Sequence, residues 1–351
     1  MGSGTLDVVK PLERLVVHVE EAIRYGTAAD EPRLRLGLML LDSAAELMMY
    51  RETDYLIRMN AHLYDRWLEI AEQQVEQTGT GQDRVEEYRA LAISKTRRRK
   101  IDREFDAKCD YLVEEGLLPE PHSRALKKLH KYRNDTYHRD ELRPATLSNA
   151  TAIYTYLVCT MMSELPPHQM GYMQHDPPEV IAKYLKPGEN GFGVSFELQG
   201  RIGQALLASS GVAVPMALGQ SLSEHVLYRL EEIEGAIEEC VSYIGETHRN
   251  EKWDLNTVLG MLQAPVPDDK FEYLTRTPEQ LRGWAKPVNA AKLAEWRQLA
   301  EDLATESDDL TAFTSFADLE DEFEPIEQKA MEFALQVDLH IQDEIDAARG
   351  K

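Results

Sequence analysis

Positions 33 to 50 are nearly all apolar: Leu34, Leu36, Leu38, Met39, Leu40, Leu41, Leu47, Met48 and Met49 leave little polar surface. A helix of that composition must be surrounded by other helices, because it has no face to give to water. Helical spacing extends in both directions from it. Upstream, Leu12, Leu15, Val16, Val19, Ala22 and Ile23 recur with the same period before Gly26 and Pro32 stop the run. Downstream, Leu56, Met59, Leu63, Trp67, Ile70 and Ala71 carry it from 51 to 77, and Thr78-Gly-Thr-Gly81 closes it. Within the apolar stretch, Arg35, Asp42 and Glu46 fall on one side, since separations of seven and four are near-whole turns. They read either as a solvated stripe or as acids that serve a site elsewhere in the bundle.

Asp83 is placed to cap a further helix running to about Leu117, which carries Thr96-Arg-Arg-Arg-Lys100 and Arg103. Pro119 and Pro121 interrupt the chain, and Ser123 can cap a helix from Arg124 to about His138. Leu126, Leu129 and either Tyr132 or Tyr137 give that helix a buried edge. Pro144 discourages helix at 143, and an amphipathic helix over 146–164 follows, with Ile153, Tyr154, Leu157, Val158, Met161 and Met162. Residues 1–165 therefore read as a helical bundle. The Pro- and Gly-rich segment 166–200 reads as a linker with one short helix. Residues 201–351 read as a second helical domain, with helices over 221–246, 288–305 and 318–348. No strand and no internal repeat stands out, so the fold class is all-α.

Charge separates the two halves. Residues 1–150 hold 24 Lys and Arg against 27 Asp and Glu, a net of −3, whereas 151–351 hold 15 against 35, a net of −20. Residues 84–139 reverse the trend with 15 against 10, a local +5. Either a solvated face or a phosphate-tracking surface explains that patch. Its candidates for RNA contact are Arg97, Arg98, Arg99, Lys100, Arg103, Lys127, Lys128 and Lys131. Cys109, Cys159 and Cys240 are far apart and suggest a reducing cytosol rather than disulfides or a zinc knuckle. No apolar run approaches the roughly 20 residues of a membrane helix. The Met1-Gly-Ser-Gly start lacks a signal region, so a soluble cytoplasmic protein with no membrane association is expected.

The chemistry concentrates in Arg133-Asn134-Asp135-Thr136-Tyr137-His138. Arginine clamps a phosphate with two parallel hydrogen bonds, and histidine moves protons near neutral pH. Arginine five to seven positions before a histidine is common: 24 arginines and 10 histidines in 351 residues predict about two such pairs by chance. Two occur, Arg133…His138 and Arg124…His130, so context must separate them. Asn134 follows Arg133 at the end of a basic helix, before a loop and a last apolar helix. Arg124 has Ala125 after it at a helix start, which marks Arg124/His130 as the decoy.

This arrangement resembles the Arg-x4-6-His motif of the HEPN superfamily, whose nucleases place a polar residue after the arginine, late in a bundle of four or five helices. The resemblance covers roughly residues 5–165. It implies a metal-independent endoribonuclease of the toxin or antiviral-defence type. His138 would assist attack of the ribose 2′-hydroxyl or protonate the leaving 5′-oxygen, Arg133 would stabilise the phosphate, and Asn134 would position it. Glu46 or Asp42 would orient that pair. On an ideal helix, positions 133 and 138 are about 140° apart, so they converge only if the helix unwinds near 136 or they bracket a groove. The family resolves this by homodimerising into a composite cleft. The implied partners are RNA, a second protomer, and a neutralising or regulatory protein. Asp140 stands where one variant of the family has a modifiable tyrosine.

No metal or other cofactor is expected. A His-Glu-x-x-His pattern, a phosphate-binding glycine loop and a dinucleotide fingerprint are all missing from the sequence. The alternative function, from a different class, is a non-catalytic helical binding or regulatory module.

Overall fold

Helix begins at Lys10, where Pro11 occupies the first turn and loses no hydrogen bond there. A computed structural model describes residues 9–27, 30–139, 144–167, 171–173, 177–186, 192–247, 252–265, 277–283 and 286–349. The side chains of residues 135–139 lie outside that description. The chain divides into two compact units, Met1–Val214 and Pro215–Lys351.

In the first unit, α1 (Lys10–Gly26) buries all six apolar residues that its spacing singled out, and packs along α2 (Glu31–Asn60). The Asp30 side chain caps α2 by accepting from the Arg33 backbone N–H at 3.1 Å. Leu38, Leu41, Ala45 and Met49 are fully enclosed, but Leu36 and Tyr50 are about two-fifths exposed and Ser43 is exposed too, so α2 keeps a face to solvent that its composition did not predict. The helical run continues through a single π-helical turn, Ala61–Asp65, into α3 (Arg66–Thr78).

The single helix expected from Asp83 to Leu117 is instead three: α4 (Gln82–Leu91), α5 (Lys95–Arg103) and α6 (Phe105–Glu114). Ala92 and Glu104 adopt extended backbone between them, and Ser94 caps α5 by accepting from the Arg97 N–H at 3.2 Å. Gly81, with φ of +99°, takes the N-cap position expected of Asp83. Asp83 lies in the first turn, where its charge still suits the helix dipole.

Helix α7 (Glu120–Arg139) starts four residues earlier than its expected Arg124. Ser123 is therefore inside the helix and fully buried, not a cap. Leu126, Leu129 and Tyr132 form the buried edge. Helix α8 (Pro144–Glu164) runs through the middle of the unit, with Ile153, Tyr154, Leu157 and Val158 fully enclosed.

The segment expected to be a linker is built into this unit. A two-stranded antiparallel ribbon pairs β1 (Gly171–Met173) with β2 (Phe192–Val194), and a short helix, α9 (Glu179–Ala182), sits between them in sequence. Tyr184 donates its hydroxyl to Glu20 of α1 at 2.6 Å. Helix α10 (Phe196–Ser210) lies on α8, so the boundary falls at 214/215 rather than at 165–200. Gly203 permits that contact, since a Cβ there would sit 2.6 Å from the Cys159 carbonyl oxygen.

In the second unit, helix Leu218–Thr247 packs against the 40-residue helix Asp309–Ala348 and against Ala290–Leu303. Trp296, Phe313, Phe316 and Phe323 are essentially completely buried. Buried Arg229 joins Glu320 and Glu327 and lies 4.6 Å from the centre of the Phe323 ring. The described residues are thus helical apart from one six-residue ribbon and connecting turns. No described helix is long and apolar enough to cross a membrane.

If α10 belongs to the first unit, Gly203→Ala should lower the stability of a 1–214 fragment by about 1–3 kcal/mol, the usual cost of overpacking. Chemical denaturation of both forms measures this, and equal stabilities would place α10 elsewhere.

Candidate functional site

The three charged residues on one side of α2 meet different fates. Arg35 pairs with Glu31 on its own helix, and half-exposed Glu46 lies 3.5 Å from the buried Lys108 ammonium. Asp42 is fully buried, which overturns the solvated-stripe reading at that position. An enclosed carboxylate is tolerated only with compensating donors. Tyr154 of α8 donates its hydroxyl to Asp42 Oδ1 at 2.8 Å, and His130 Nδ1 of α7 lies 2.8 Å from the same oxygen. Arg133 Nε of α7 stands 3.2 Å from Asp42 Oδ2. That ion pair is off the angle of a hydrogen bond, so both buried atoms lack a hydrogen-bond partner among the described residues.

His130, Arg133 and Asn134 share one face of α7 because they stand at positions i, i+3 and i+4. Arg133 Nη1 donates to Asn134 Oδ1 at 2.8 Å, and the arginine side chain keeps 31% of its surface exposed. The His130 ring stacks on Phe105 of α6, with centroids 4.0 Å apart and planes 8° from parallel. Four helices thus meet around Asp42.

The backbone of α7 stays helical through Arg139, without the unwinding near 136 that would bring positions 133 and 138 together. The His138 side chain lies outside the described residues. The structure therefore seats His130, the expected decoy, beside Arg133. Two sequence signals were available: the i, i+3 spacing, and an acid embedded in an apolar helix. Their common partner, Asp42, is 88 positions from His130, a distance that spacing rules do not span.

The basic patch is partly neutralised by its own surroundings. Arg97 bonds Glu114, Arg98 makes a two-pronged contact with Asp65 at 2.6 and 2.7 Å, and Lys127 bonds Asp110. Lys100 approaches Glu104 at 3.9 Å, and Lys128 and Lys131 are not free either. Arg99 and Arg103 are exposed, with no ion pair among the described residues. Exposed pairs hold about 0–1 kcal/mol each, so a phosphate can displace them.

Among the described residues, no group of three or more His, Cys, Asp or Glu side chains is arranged to hold a metal ion. The three cysteines are buried and free. Burial pushes Cys109 and Cys159 up to about 12, so neither is a ready nucleophile.

Burial, followed by the charge of Asp42, raises the Tyr154 phenol well above its ordinary value. A phenol whose folded pKa exceeds its unfolded value of about 10 stabilises fully below pH 10 and loses that contribution as pH rises further. Tyr154→Phe should cost about 1–2 kcal/mol at pH 8 by removing one hydrogen bond. It should also lessen the alkaline fall in stability above about pH 10, leaving the loss that the cysteines begin near pH 9 and the share of Tyr111 and Tyr184, whose phenols burial also raises. Urea titrations at pH 8 and pH 11 test both, and an unchanged alkaline slope would remove Tyr154 from the network.

No family model, curated protein or solved structure matches this chain.

Proposed function

We propose that the first unit is a metal-independent endoribonuclease of the HEPN type, acting in growth arrest or antiviral defence. The observation that carries this reading is Arg133. Its guanidinium is tethered from below by the buried Asp42 carboxylate, joined to Asn134 beside it, and still partly open to solvent. A cation held in one orientation before substrate arrives is what phosphate recognition and transition-state stabilisation need. Of the two acids expected to orient the motif, Asp42 reaches Arg133, whereas Glu46 is paired with Lys108. In the proposed reaction the 2′-oxygen loses its proton and attacks phosphorus. The bond to the 5′-oxygen then breaks, and that oxygen takes up a proton. His138 supplies one of these transfers, and the products are a cyclic 2′,3′-phosphate and a 5′-hydroxyl.

The intramolecular ion pairs at Arg97, Arg98 and Lys127 favour a second reading, a helical binding or regulatory module whose basic helices are structural. Cleavage separates the two. The purified protein should cut single-stranded RNA in EDTA. His138→Ala and Arg133→Ala should each slow cutting by about 10²–10⁴, the range of positioned acid–base and electrostatic catalysis. RNA left intact, or cut equally by wild type and both variants, would favour the binding module.

A homodimer through this unit belongs to the same proposal. Tyr55, Met59, Leu63, Trp67 and Ile70 lie at near four-residue spacing along α2, the π turn and α3, each 36–52% exposed. Four-residue steps drift about 40° each around an α-helix, and the wider π turn draws that drift back, so these side chains stay roughly in line. An apolar row of this kind is unusual on a monomer's surface. Trp67→Glu should therefore shift the protein toward a monomer in sedimentation at micromolar concentration. A wild type that is already monomeric and active would remove the dimer from the proposal.

A further inference from the structure

We propose that His130 is the general base of the cleavage, the imidazole that takes the proton of the 2′-hydroxyl. This role rests on the ribonuclease reading and adds to it a residue outside the Arg133–His138 motif. A carboxylate only accepts hydrogen bonds, so at the 2.8 Å contact with Asp42 Oδ1 the imidazole donates from Nδ1. The lone pair is then on Nε2. An aspartate that fixes tautomer and ring orientation, and stabilises the imidazolium once formed, is the logic of hydrolase triads. Phe105 fixes the ring plane from α6, and the His130 side chain, one of three residues with Arg133 and Asn134 on one face of α7, keeps 22% of its surface exposed.

A histidine buried only for packing needs neither that exposure nor that neighbour. Asp42 holds the imidazole with one oxygen and approaches the guanidinium with the other. A single enclosed carboxylate thus positions a proton acceptor and a phosphate-binding cation together. Oδ2 and Nε, both buried and without hydrogen bonds among the described residues, face each other at 3.2 Å as an ion pair. Among the described residues, His130 touches the charged Asp42 of α2 and the neutral Phe105 of α6, and the same carboxylate also meets the titratable Tyr154 of α8 and Arg133 of α7.

The step balances without a co-reactant. The O2′–H proton moves to Nε2, the O2′–P bond forms, the P–O5′ bond breaks, and the leaving O5′ takes a proton from the His138 of a second protomer, since on one unbroken helix positions 130 and 138 stand about 80° and about 12 Å apart. The cycle closes when the His130 imidazolium returns its proton to solvent and His138 takes one up.

The experiment compares full-length wild type, His130→Gln and His138→Ala on two RNA oligonucleotides. One has the natural 5′-oxygen at the cut site, and the other a bridging 5′-sulfur, whose thiolate leaves without protonation. His130→Gln should cut both about 10²–10⁴ slower than wild type and lose the fall in rate that a deprotonated base imposes at low pH. His138→Ala should be slow on the oxygen substrate and regain most of its rate on sulfur. Wild-type rates for His130→Gln, with His138→Ala inactive, would overturn the base role and leave the ribonuclease reading standing. Rescue of His130→Gln by sulfur would overturn it too, by making His130 the acid. A wild type that cuts neither oligonucleotide overturns both readings. If His130→Gln fails to fold by thermal melting, Asp42→Asn reads the same step, because an amide donating to Nδ1 puts the proton on Nε2. Its loss should not be rescued by sulfur, and a wild-type rate for Asp42→Asn would sink the proposal.

Discussion

Of the three charged side chains buried among the described residues of the first unit, Asp42, Glu52 and Lys108, it is Asp42 that ties three helices together. Asp42 sits fully buried on α2, where transfer of a charge from water is costly, and the partners that compensate it stand on other helices. Its partners come from α7 and α8, far away in sequence. The carboxylate is tolerable only when those helices are seated at one height and one rotation against α2. Apolar packing alone permits many such arrangements at similar energy, because leucine against leucine has no preferred register. A hydrogen-bonded carboxylate discriminates among them, since a misplaced helix would leave a buried acceptor unpaired. The same demand places the arginine and histidine of α7 side by side. Structural specificity and the candidate chemistry therefore share one interaction.

Much of the bundle was legible because its signals are local. The six buried positions of α1, the buried positions Leu34, Leu38, Leu41, Ala45 and Met49 of α2 and the apolar face of 146–164 follow from period and composition alone, whereas the exposure of Leu36 does not. The failures have local causes as well. The Ser94 cap and the extended backbone at Ala92 and Glu104 break 82–114 into three helices, but a dense charge run hides such breaks from a periodicity argument. Ser123 resembles a cap, yet Pro121 can occupy a first turn and lets the helix begin earlier. The boundary near 165 was misplaced because proline and glycine mark turns, not domain edges. Gly203 allows α10 to approach the α8 backbone, and α10 thereby returns to the first core.

At the candidate site, the motif led to Arg133 and Asn134, and the helical face led to Asp42. What spacing could not supply was the choice between two histidines. His138 lies in the motif, while His130 lies on the arginine's face of an unbroken helix, and the second criterion depends on the helix remaining unbroken. A sequence pattern gives the residues available for chemistry. The backbone decides which of them can meet in one protomer.

The division of charge then limits where a nucleic acid can be held. With a net of −20, the second half of the chain repels a polyanion, and its best-buried cation, Arg229, is already matched by two glutamates. On the ribonuclease reading, phosphate contacts would be left to the first unit, where Arg97, Arg98 and Lys127 begin paired with carboxylates. A phosphate that takes one of these cations frees a carboxylate, which must recruit a cation from solution. The counterions released from RNA are then partly offset, so such contacts contribute less to affinity than unpaired lysines or arginines would. On the same reading Arg99 and Arg103, exposed and without that competition among the described residues, would carry more of the attraction. Substrate binding in such a protein depends less on total positive charge than on which carboxylates give their partners up. Arg133 is the extreme case, because its carboxylate is enclosed and cannot leave.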